Sequence, residues 1–177
     1  MSVDDLIGKI KRSPQHNYVY HFTDEANFPS ISKNGLLSKK RMKDGGWWPP
    51  LATGGNGLSH SLDTHRGIDR YVSLCLTRNH RMKFLAQKDG RLPNPRYLGI
   101  HPEVLKTVGT KIAFGIANSN EVEILPIEDG LEKLDVEVLY SRTNWSDPEV
   151  QQRLQIAEKI EILVPGEVPR SLVAGIF

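Results

Sequence analysis

Apolar residues at helical spacing predict helices at residues 3–12, 27–34 and 148–159. The first segment has acidic residues in its first turn and basic residues in its last, which suits the dipole of a helix. The second stops at Gly35, because glycine commonly follows the last residue of a helix. Residues 101–108 predict a further short helix. The apolar pattern therefore predicts helices at several places along the chain.

Short runs of β-branched and aromatic residues predict strands at residues 18–22, 71–76, 96–100 and 160–165. Successive side chains of a strand point to opposite faces. In the last run Glu161 and Leu163 would therefore share one face, opposite the face of the two isoleucines and the valine. Residues 135–140 fit either a strand or the end of a helix.

Residues 39–57 follow neither period and contain two Gly-Gly pairs and one Pro-Pro pair. They predict a long loop, and the adjacent Trp47 and Trp48 argue against simple disorder. The short strands and helices of the whole chain show no βαβ regularity. We therefore expect an α+β fold in a single domain over residues 1–177.

The composition indicates a globular protein. Of the 177 residues, 38% are hydrophobic and 25% are charged, and no apolar run approaches the roughly 20 residues that span a membrane. The N-terminus lacks the basic and then apolar pattern of a secretory signal, and the single Cys75 has no partner for an internal disulfide. These features favour a soluble, cytoplasmic protein, which we expect to be a monomer.

The net charge of +2 is distributed unevenly. Residues 33–91 have a net charge of +8, whereas residues 1–32 and 92–177 have −1 and −5. This asymmetry favours a basic face that attracts a polyanion or a phosphate-bearing cofactor. The alternative is that the three segments interleave in space and that their fields cancel.

Glu161 stands out because it is a carboxylate within the apolar run IEILVP, residues 160–165. A buried acid usually has a function or a partner. The alternative is a solvated carboxylate on an edge strand.

Two short motifs resemble one enzyme family. The run YHFT at residues 20–23 and the run EILVP at residues 161–165 resemble the DarT family of NAD-dependent ADP-ribosyltransferases, toxins that modify single-stranded DNA. The resemblance extends from Tyr20 to about Phe177. It implies an ADP-ribosyltransferase-type split mixed β-sheet core with flanking helices. It also implies NAD as a substrate, a base in single-stranded DNA as the acceptor, and a macrodomain antitoxin as the partner.

The resemblance also assigns two catalytic residues. Transfer of ADP-ribose breaks the nicotinamide glycosidic bond through an oxocarbenium-like transition state, which requires an anion near the ribose. Glu161 is expected to be this anion or a general base. An essential arginine precedes a Tyr-Val strand in the family, and Arg66 matches that position, with Arg70 or Arg41 as alternatives. A guanidinium can clamp a pyrophosphate through two hydrogen bonds.

The remaining expected contacts belong to NAD and to DNA. The residues expected to bind NAD are His21, Phe22, Thr23, Ser30, Leu37, Ser38 and Arg66. Among them His21 would donate hydrogen bonds to ribose hydroxyls, although a strand histidine is also compatible with simple packing. The residues expected to bind phosphates or stack on bases are Trp47, Trp48, Arg78, Arg81 and Lys83. Surface charge and loop anchoring are the alternatives for this second set.

Metal chemistry is not expected, since His60, His65 and His80 match no common spacing of metal ligands. No G-x-G-x-x-G motif follows a strand, so NAD is not expected to bind in the Rossmann manner. Three alternative functions remain open. They are ADP-ribosylation of protein or RNA, RNA 2′-phosphotransfer, and nucleic-acid binding without catalysis. In the last case the basic middle segment would contact the nucleic acid, and Glu161 would have no functional role.

Overall fold

The structure is a computed structural model and describes residues 1–48, 61, 63–141 and 143–177. Its helices are α1 (Val3–Arg12), α2 (Phe28–Asn34), α3 (Lys39–Asp44), α4 (Arg81–Lys88), α5 (Ile127–Gly130), α6 (Val136–Tyr140) and α7 (Pro148–Ala157). Its strands are β1 (Val19–Asp24), β2 (Leu36–Leu37), β3 (Tyr71–Cys75), β4 (Pro95–Ile100), β5 (Lys111–Ala113), β6 (Ile124–Pro126), β7 (Glu161–Pro165), β8 (Glu167–Val168) and β9 (Val173–Ile176). Short 3-10 turns lie at Glu25–Asn27, Ile68–Arg70, Pro102–Lys106, Leu131–Lys133 and Arg170–Leu172.

Seven strands form one sheet in the order β6-β5-β7-β3-β1-β4-β9. Helices α1, α6 and α7 pack on one face of this sheet and bury the main apolar core. The predicted α+β class is confirmed. The expected mixed sheet is corrected in one detail, because all pairings between the described strands are antiparallel. The apolar pattern predicts which residues form strands, whereas strand direction depends on the connections between them.

The sheet opens between β1 and β3. These two strands pair only at Tyr20 and Cys75, whereas β1 pairs with β4 over its whole length and β3 pairs with β7 over its whole length. The far end of β1 is fixed by Asp24, whose Oδ2 accepts the Asn94 N–H at 2.7 Å. The two halves of the sheet therefore diverge, as expected for a split core, and leave a cleft between them.

A second sheet of two strands, β2 and β8, lies beside this opening. The chain enters β2 through Gly35, which has a φ of +74° and whose missing Cβ would meet the Val168 carbonyl oxygen at 2.4 Å. Only glycine fits this left-handed and crowded position. Gly35 thereby sets Leu37 and the start of α3 beside the cleft.

The structure confirms the helices predicted at both ends and the strands β1, β3, β4 and β7. The segment predicted at residues 101–108 is a 3-10 turn, and residues 136–140 are helical. The prediction of a long loop from residue 39 is wrong for Lys39–Asp44, because Ser38 caps a helix there by accepting the Arg41 N–H. Residues 49–57 of the predicted loop lie outside the described residues.

The described residues contain no helix that is long and apolar enough to cross a membrane. They also contain no cluster of three or more histidine, cysteine or acidic side chains arranged to hold a metal ion.

Candidate active site

The cleft between β1 and β3 contains a cavity whose wall combines many parts of the fold. Strands β1, β2 and β3, helices α2, α3 and α4, residues 116–118 and Glu161 of β7 all contribute side chains. Of the residues expected at the site, the cavity brings together His21, Phe22, Thr23, Ser30, Leu37, Trp47 and Glu161. Runs that are more than 130 positions apart in the sequence therefore meet at one place.

Glu161 is 9% exposed and lies on an interior strand, between β3 and β5. Its Oε2 accepts the Ala117 N–H at 3.1 Å. Burial raises the pKa of Glu161 to about 7, and nearby Asp63 acts in the same direction, whereas the Ala117 hydrogen bond and Lys39 lower the pKa. The carboxyl group therefore exchanges its proton near neutral pH. The alternative of a solvated carboxylate on an edge strand is wrong.

His21 bridges the two strands where they diverge. Its Nδ1 lies 3.0 Å from the Ser73 carbonyl oxygen of β3, and because a carbonyl only accepts, Nδ1 carries the proton. Burial lowers the pKa of His21, so the ring is neutral at pH 7 and its Nε2 is an acceptor. The expectation that His21 donates to ribose hydroxyls is therefore corrected: Nε2 can accept a hydrogen bond from a hydroxyl.

Asn27 is a cavity residue that the sequence did not single out. It is 3% exposed, and its Nδ2 donates to Thr23 Oγ1 at 3.1 Å. Its Oδ1 has no hydrogen-bond partner among the described residues. Buried polar atoms are normally paired, so this oxygen is suited to accept a hydrogen bond from a bound molecule. An asparagine at the start of a helix gives no sequence signal of this role.

Lys39 and Asp63 form an ion pair on the wall of the cavity, close enough to influence the Glu161 charge. Lys39 was missed because residues 39–57 were predicted to form an irregular loop, and the sequence did not single out Asp63. Instead, helix α3 begins at Lys39 and directs this ammonium group into the cavity. The structure thus places a lysine near the carboxylate.

Arg66 does not line this cavity among the residues that the structure describes there. Its Nη2 donates to the Val122 carbonyl at 3.1 Å, and its Nη1 is buried without a partner in the described part of the chain. Of the alternatives, Arg41 pairs with Glu167 and Arg70 is exposed. Arg66 therefore contacts the connection between β5 and β6, the same connection that supplies the Ala117 N–H.

Of three other residues expected to bind NAD, two line the cavity and one does not. Ser30 and Leu37 line the cavity, whereas Ser38 is buried and its hydroxyl caps α3. Phe22 also lines the cavity and stacks on His80 with a centroid distance of 5.8 Å.

Of the residues expected to contact DNA, the two tryptophans lie at or beside the cavity. Trp47 lines its rim and is 57% exposed, and Trp48, which is 45% exposed, lines a neighbouring pocket with Lys40 and Lys43. This pocket shares Lys39 with the cavity. An exposed aromatic rim beside lysines is suited to an unpaired nucleotide strand.

Helix α4 extends this surface on another side. Its Met82 lines the cavity, Arg81 is exposed, and the Lys83 ammonium lies 5.0 Å from the centre of the Tyr97 ring. The sequence did not predict this helix. Arg78 instead lies over the Tyr20 ring, 5.8 Å from its centre, and does not line the cavity.

The arrangement suits chemistry at a sugar carbon. It combines a buried carboxylate that titrates near pH 7, a neutral histidine acceptor, an orphaned amide oxygen and a lysine, within an apolar cavity. A buried anion stabilises a positive oxocarbenium-like centre strongly, because water does not screen it.

Comparison with known proteins identifies the family. The profile described as "DarT: ssDNA thymidine ADP-ribosyltransferase, DarT" matches residues 20–177. No curated protein matches the chain by sequence.

Solved structures share the fold. Thermosipho africanus DarTG in complex with ADP-ribose matches with a TM-score of 0.68 and 18% identity, over 90% of this chain and 43% of that chain. Thermus sp. 2.9 DarT in complex with ADP-ribosylated ssDNA matches with a TM-score of 0.62 and 17% identity, over 89% and 79% of the two chains. The same protein in complex with NAD+ matches with a TM-score of 0.60 and 17% identity, over 93% and 82%.

The chain therefore spans less than half of the DarTG chain and most of the Thermus DarT chain. Because the family profile covers residues 20–177, the chain belongs to the DarT family of single-stranded-DNA thymidine ADP-ribosyltransferases.

Proposed function

We propose that this protein transfers ADP-ribose from NAD to a thymidine base in single-stranded DNA. The observation that carries the proposal is the buried Glu161, which titrates near neutral pH in the cleft where the sheet splits. The family profile and the solved DarT complexes with NAD+ and with ADP-ribosylated ssDNA support this reaction.

In the first step the bond between the ribose C1′ and the nicotinamide nitrogen breaks, and neutral nicotinamide leaves with the bonding electrons. Positive charge then develops on the ribose, and the Glu161 carboxylate stabilises it. His21 Nε2 accepts a hydrogen bond from a ribose hydroxyl and orients the sugar. These roles follow from the positions of both side chains on the wall of one cavity.

In the second step a thymine nitrogen attacks C1′. The base of thymidine has one N–H, at N3, and the new bond from N3 to C1′ releases that proton. Glu161 is suited to accept the proton, because a general base works best with a pKa near the operating pH. One carboxylate thereby serves both steps.

Lys39 is proposed to bind the pyrophosphate of NAD. Its ammonium is the charge that the fold brings beside Glu161, and an incoming phosphate would replace Asp63 as its partner. Arg66 is proposed to act indirectly, by holding the β5–β6 connection that donates to Glu161. This assignment revises the catalytic role that the sequence favoured for Arg66.

The DNA strand is proposed to cross the aromatic rim at Trp47 and continue over Lys83 and Arg81 of α4. Modification of DNA bases fits a toxin that acts in the cytoplasm and is held in check by a macrodomain antitoxin. The DarTG match supports such a partner.

The reaction is tested with NAD labelled in its adenylate and with thymidine-containing oligonucleotide, its duplex form, RNA and protein as separate acceptors. We expect label on the single-stranded DNA alone. Glu161→Gln keeps the size of the side chain but removes its charge, and should slow transfer at least about a hundredfold. Transfer to RNA or protein alone would refute the DNA acceptor.

The matched control is Glu158→Gln. Glu158 is a half-buried acid near the same strand, but its carboxylate accepts from Asn79 and does not line the cavity. This variant should keep wild-type transfer. Equal rates for the Glu161→Gln variant and the wild type would show that Glu161 is not catalytic.

A further inference from the structure

His80 lies next to Glu161 and has no role in the proposed reaction. Its side chain is completely buried, and its Nε2 lies 3.5 Å from Glu161 Oε1. Within the described residues neither nitrogen of its ring has a hydrogen-bond partner. A buried imidazole without a partner is unusual, and two acceptors lie near this ring, Glu161 Oε1 and the Lys159 carbonyl oxygen.

The position of His80 is fixed from two other directions. Its backbone N–H donates to the Tyr97 hydroxyl oxygen at 3.0 Å. The Phe22 ring stacks on the imidazole with an interplanar angle of 24°. These contacts hold the ring with its Nε2 edge toward the carboxylate. The separation of 3.5 Å is long for a hydrogen bond, so the proposed bond requires the two side chains to move closer when Glu161 is ionised.

We propose that His80 is a positioning residue whose Nε2–H donates to Oε1 of the ionised Glu161 and holds this carboxylate toward the ribose. Ala117 already donates to Oε2, so the two donors together fix both carboxylate oxygens. The inference rests on the proposed function, because that function makes Glu161 the catalytic anion.

A neutral imidazole is suited to this role. Burial lowers the pKa of His80 to about 4, although the nearby Lys159 carbonyl acts in the opposite direction. The ring therefore offers a single N–H at neutral pH and adds no charge that would cancel the carboxylate. A protonated ring would pair with Glu161 and reduce its attraction for the oxocarbenium-like ribose.

Other titratable groups also face Glu161 from the surrounding elements. The cavity wall contributes His21, Lys39, Asp63, Tyr71 and Cys75. In the hydrogen-bond network of the described residues, Glu161 receives a bond from Ala117 and from none of these five. A change at His80 therefore removes a donor that none of these groups replaces.

The test in the free protein is a carboxyl-carbon NMR titration of glutamate-labelled protein, with Glu161→Gln used to assign the signal. The wild-type midpoint is expected near pH 7. His80→Leu removes the donor from the ionised form and should raise the midpoint by about one pH unit or more. His80→Gln can place an amide N–H at the same point and should keep the wild-type midpoint.

An unchanged or lowered midpoint in His80→Leu overturns the proposal, as does an equal rise in His80→Gln. Thermal unfolding of each variant checks that it folds. If His80→Leu does not fold, His80→Asn replaces it, because the shorter amide does not reach Oε1 and must show the same rise relative to His80→Gln.

The test in the enzyme is the pH profile of transfer to single-stranded DNA. In His80→Leu the acid limb should move to higher pH by the same amount, and His80→Gln should restore it. A loss of rate that is uniform with pH indicates a merely structural role and overturns the proposal. If the wild type transfers no ADP-ribose, the proposed function fails, and the NMR titration still decides whether His80 holds Glu161.

Discussion

In the proposed reaction, two side chains determine the chemistry at the scale of single residues. Glu161 provides a carboxylate whose pKa is raised to about 7 by burial, and His21 provides an acceptor because its other nitrogen donates to Ser73. In each case the local environment, rather than the residue type, sets the useful protonation state. This dependence leads to two predictions at the same scale.

The rate of transfer should fall as the pH drops below about 7. The pKa of Glu161 is raised above its ordinary value, so the carboxylate is lost as the pH falls through 7, and with it the anion that the ribose requires. The measurement is kcat/KM for NAD between about pH 5 and 9, which reports the free enzyme. An acid limb near pH 4.5, the ordinary value, would contradict the effect of burial.

Asn27→Ala should weaken NAD binding about tenfold, the loss expected for one buried hydrogen bond to the ligand. Calorimetric titration with NAD measures this affinity. Asn144→Ala is the control, since Asn144 is exposed and does not line the cavity. Equal affinities for the Asn27→Ala variant and the wild type would show that the orphaned Oδ1 does not face NAD.

At the scale of elements, the site exists because strands β1 and β3 separate after a single paired position. The small β2–β8 sheet and helix α3 then occupy the side of this opening, and they bring Leu37 and Lys39 to the cavity. Gly35 makes that path possible, because its missing Cβ leaves room for the Val168 carbonyl. The geometry of one connection therefore controls part of the proposed NAD site.

Gly35→Ala should lower the free energy of unfolding by at least about 3 kcal/mol. The added Cβ would clash with backbone atoms, and alanine is strained at a left-handed φ. Gly46→Ala is the matched control, since Gly46 has a similar φ of +68° but no atom within 4 Å of the added Cβ. It should cost about 1–2 kcal/mol. Denaturant unfolding measures both values, and equal losses would exclude the clash.

At the scale of the whole molecule, several described parts of the basic segment 33–91 line the cavity. This segment supplies α3, Trp47 and α4, whereas the acidic C-terminal segment supplies Glu161 in the interior. Cations and exposed aromatic rings therefore lie where a nucleotide strand would enter.

Single-stranded DNA should bind more tightly than duplex, because only unpaired bases can stack on Trp47. Trp47→Ala should cost roughly 1–3 kcal/mol of binding free energy, and Lys83→Ala should reduce the salt dependence. Lys106→Ala is the control, since Lys106 pairs with Asp4 away from the cavity. Fluorescence titrations at several salt concentrations measure these effects. Equal binding of both DNA forms would contradict the proposed path.

The sequence by itself determined the elements whose signals are local. The period of apolar residues located α1, the aromatic and β-branched run located β1, and alternation in β7 placed Glu161 opposite the helix-covered face. The YHFT and EILVP motifs indicated the family, which the profile over residues 20–177 shows. Such signals survive in the sequence because they depend on neighbours within a few residues.

Tertiary structure alone decided which side chains meet. It made β7 an interior strand, turned Arg66 toward Val122, and brought Lys39 and His80 beside Glu161. None of these outcomes has a local signal, because each depends on contacts between residues that are distant in the chain. The pKa of Glu161 follows from the same pairing, since burial between two strands is what makes its charge costly.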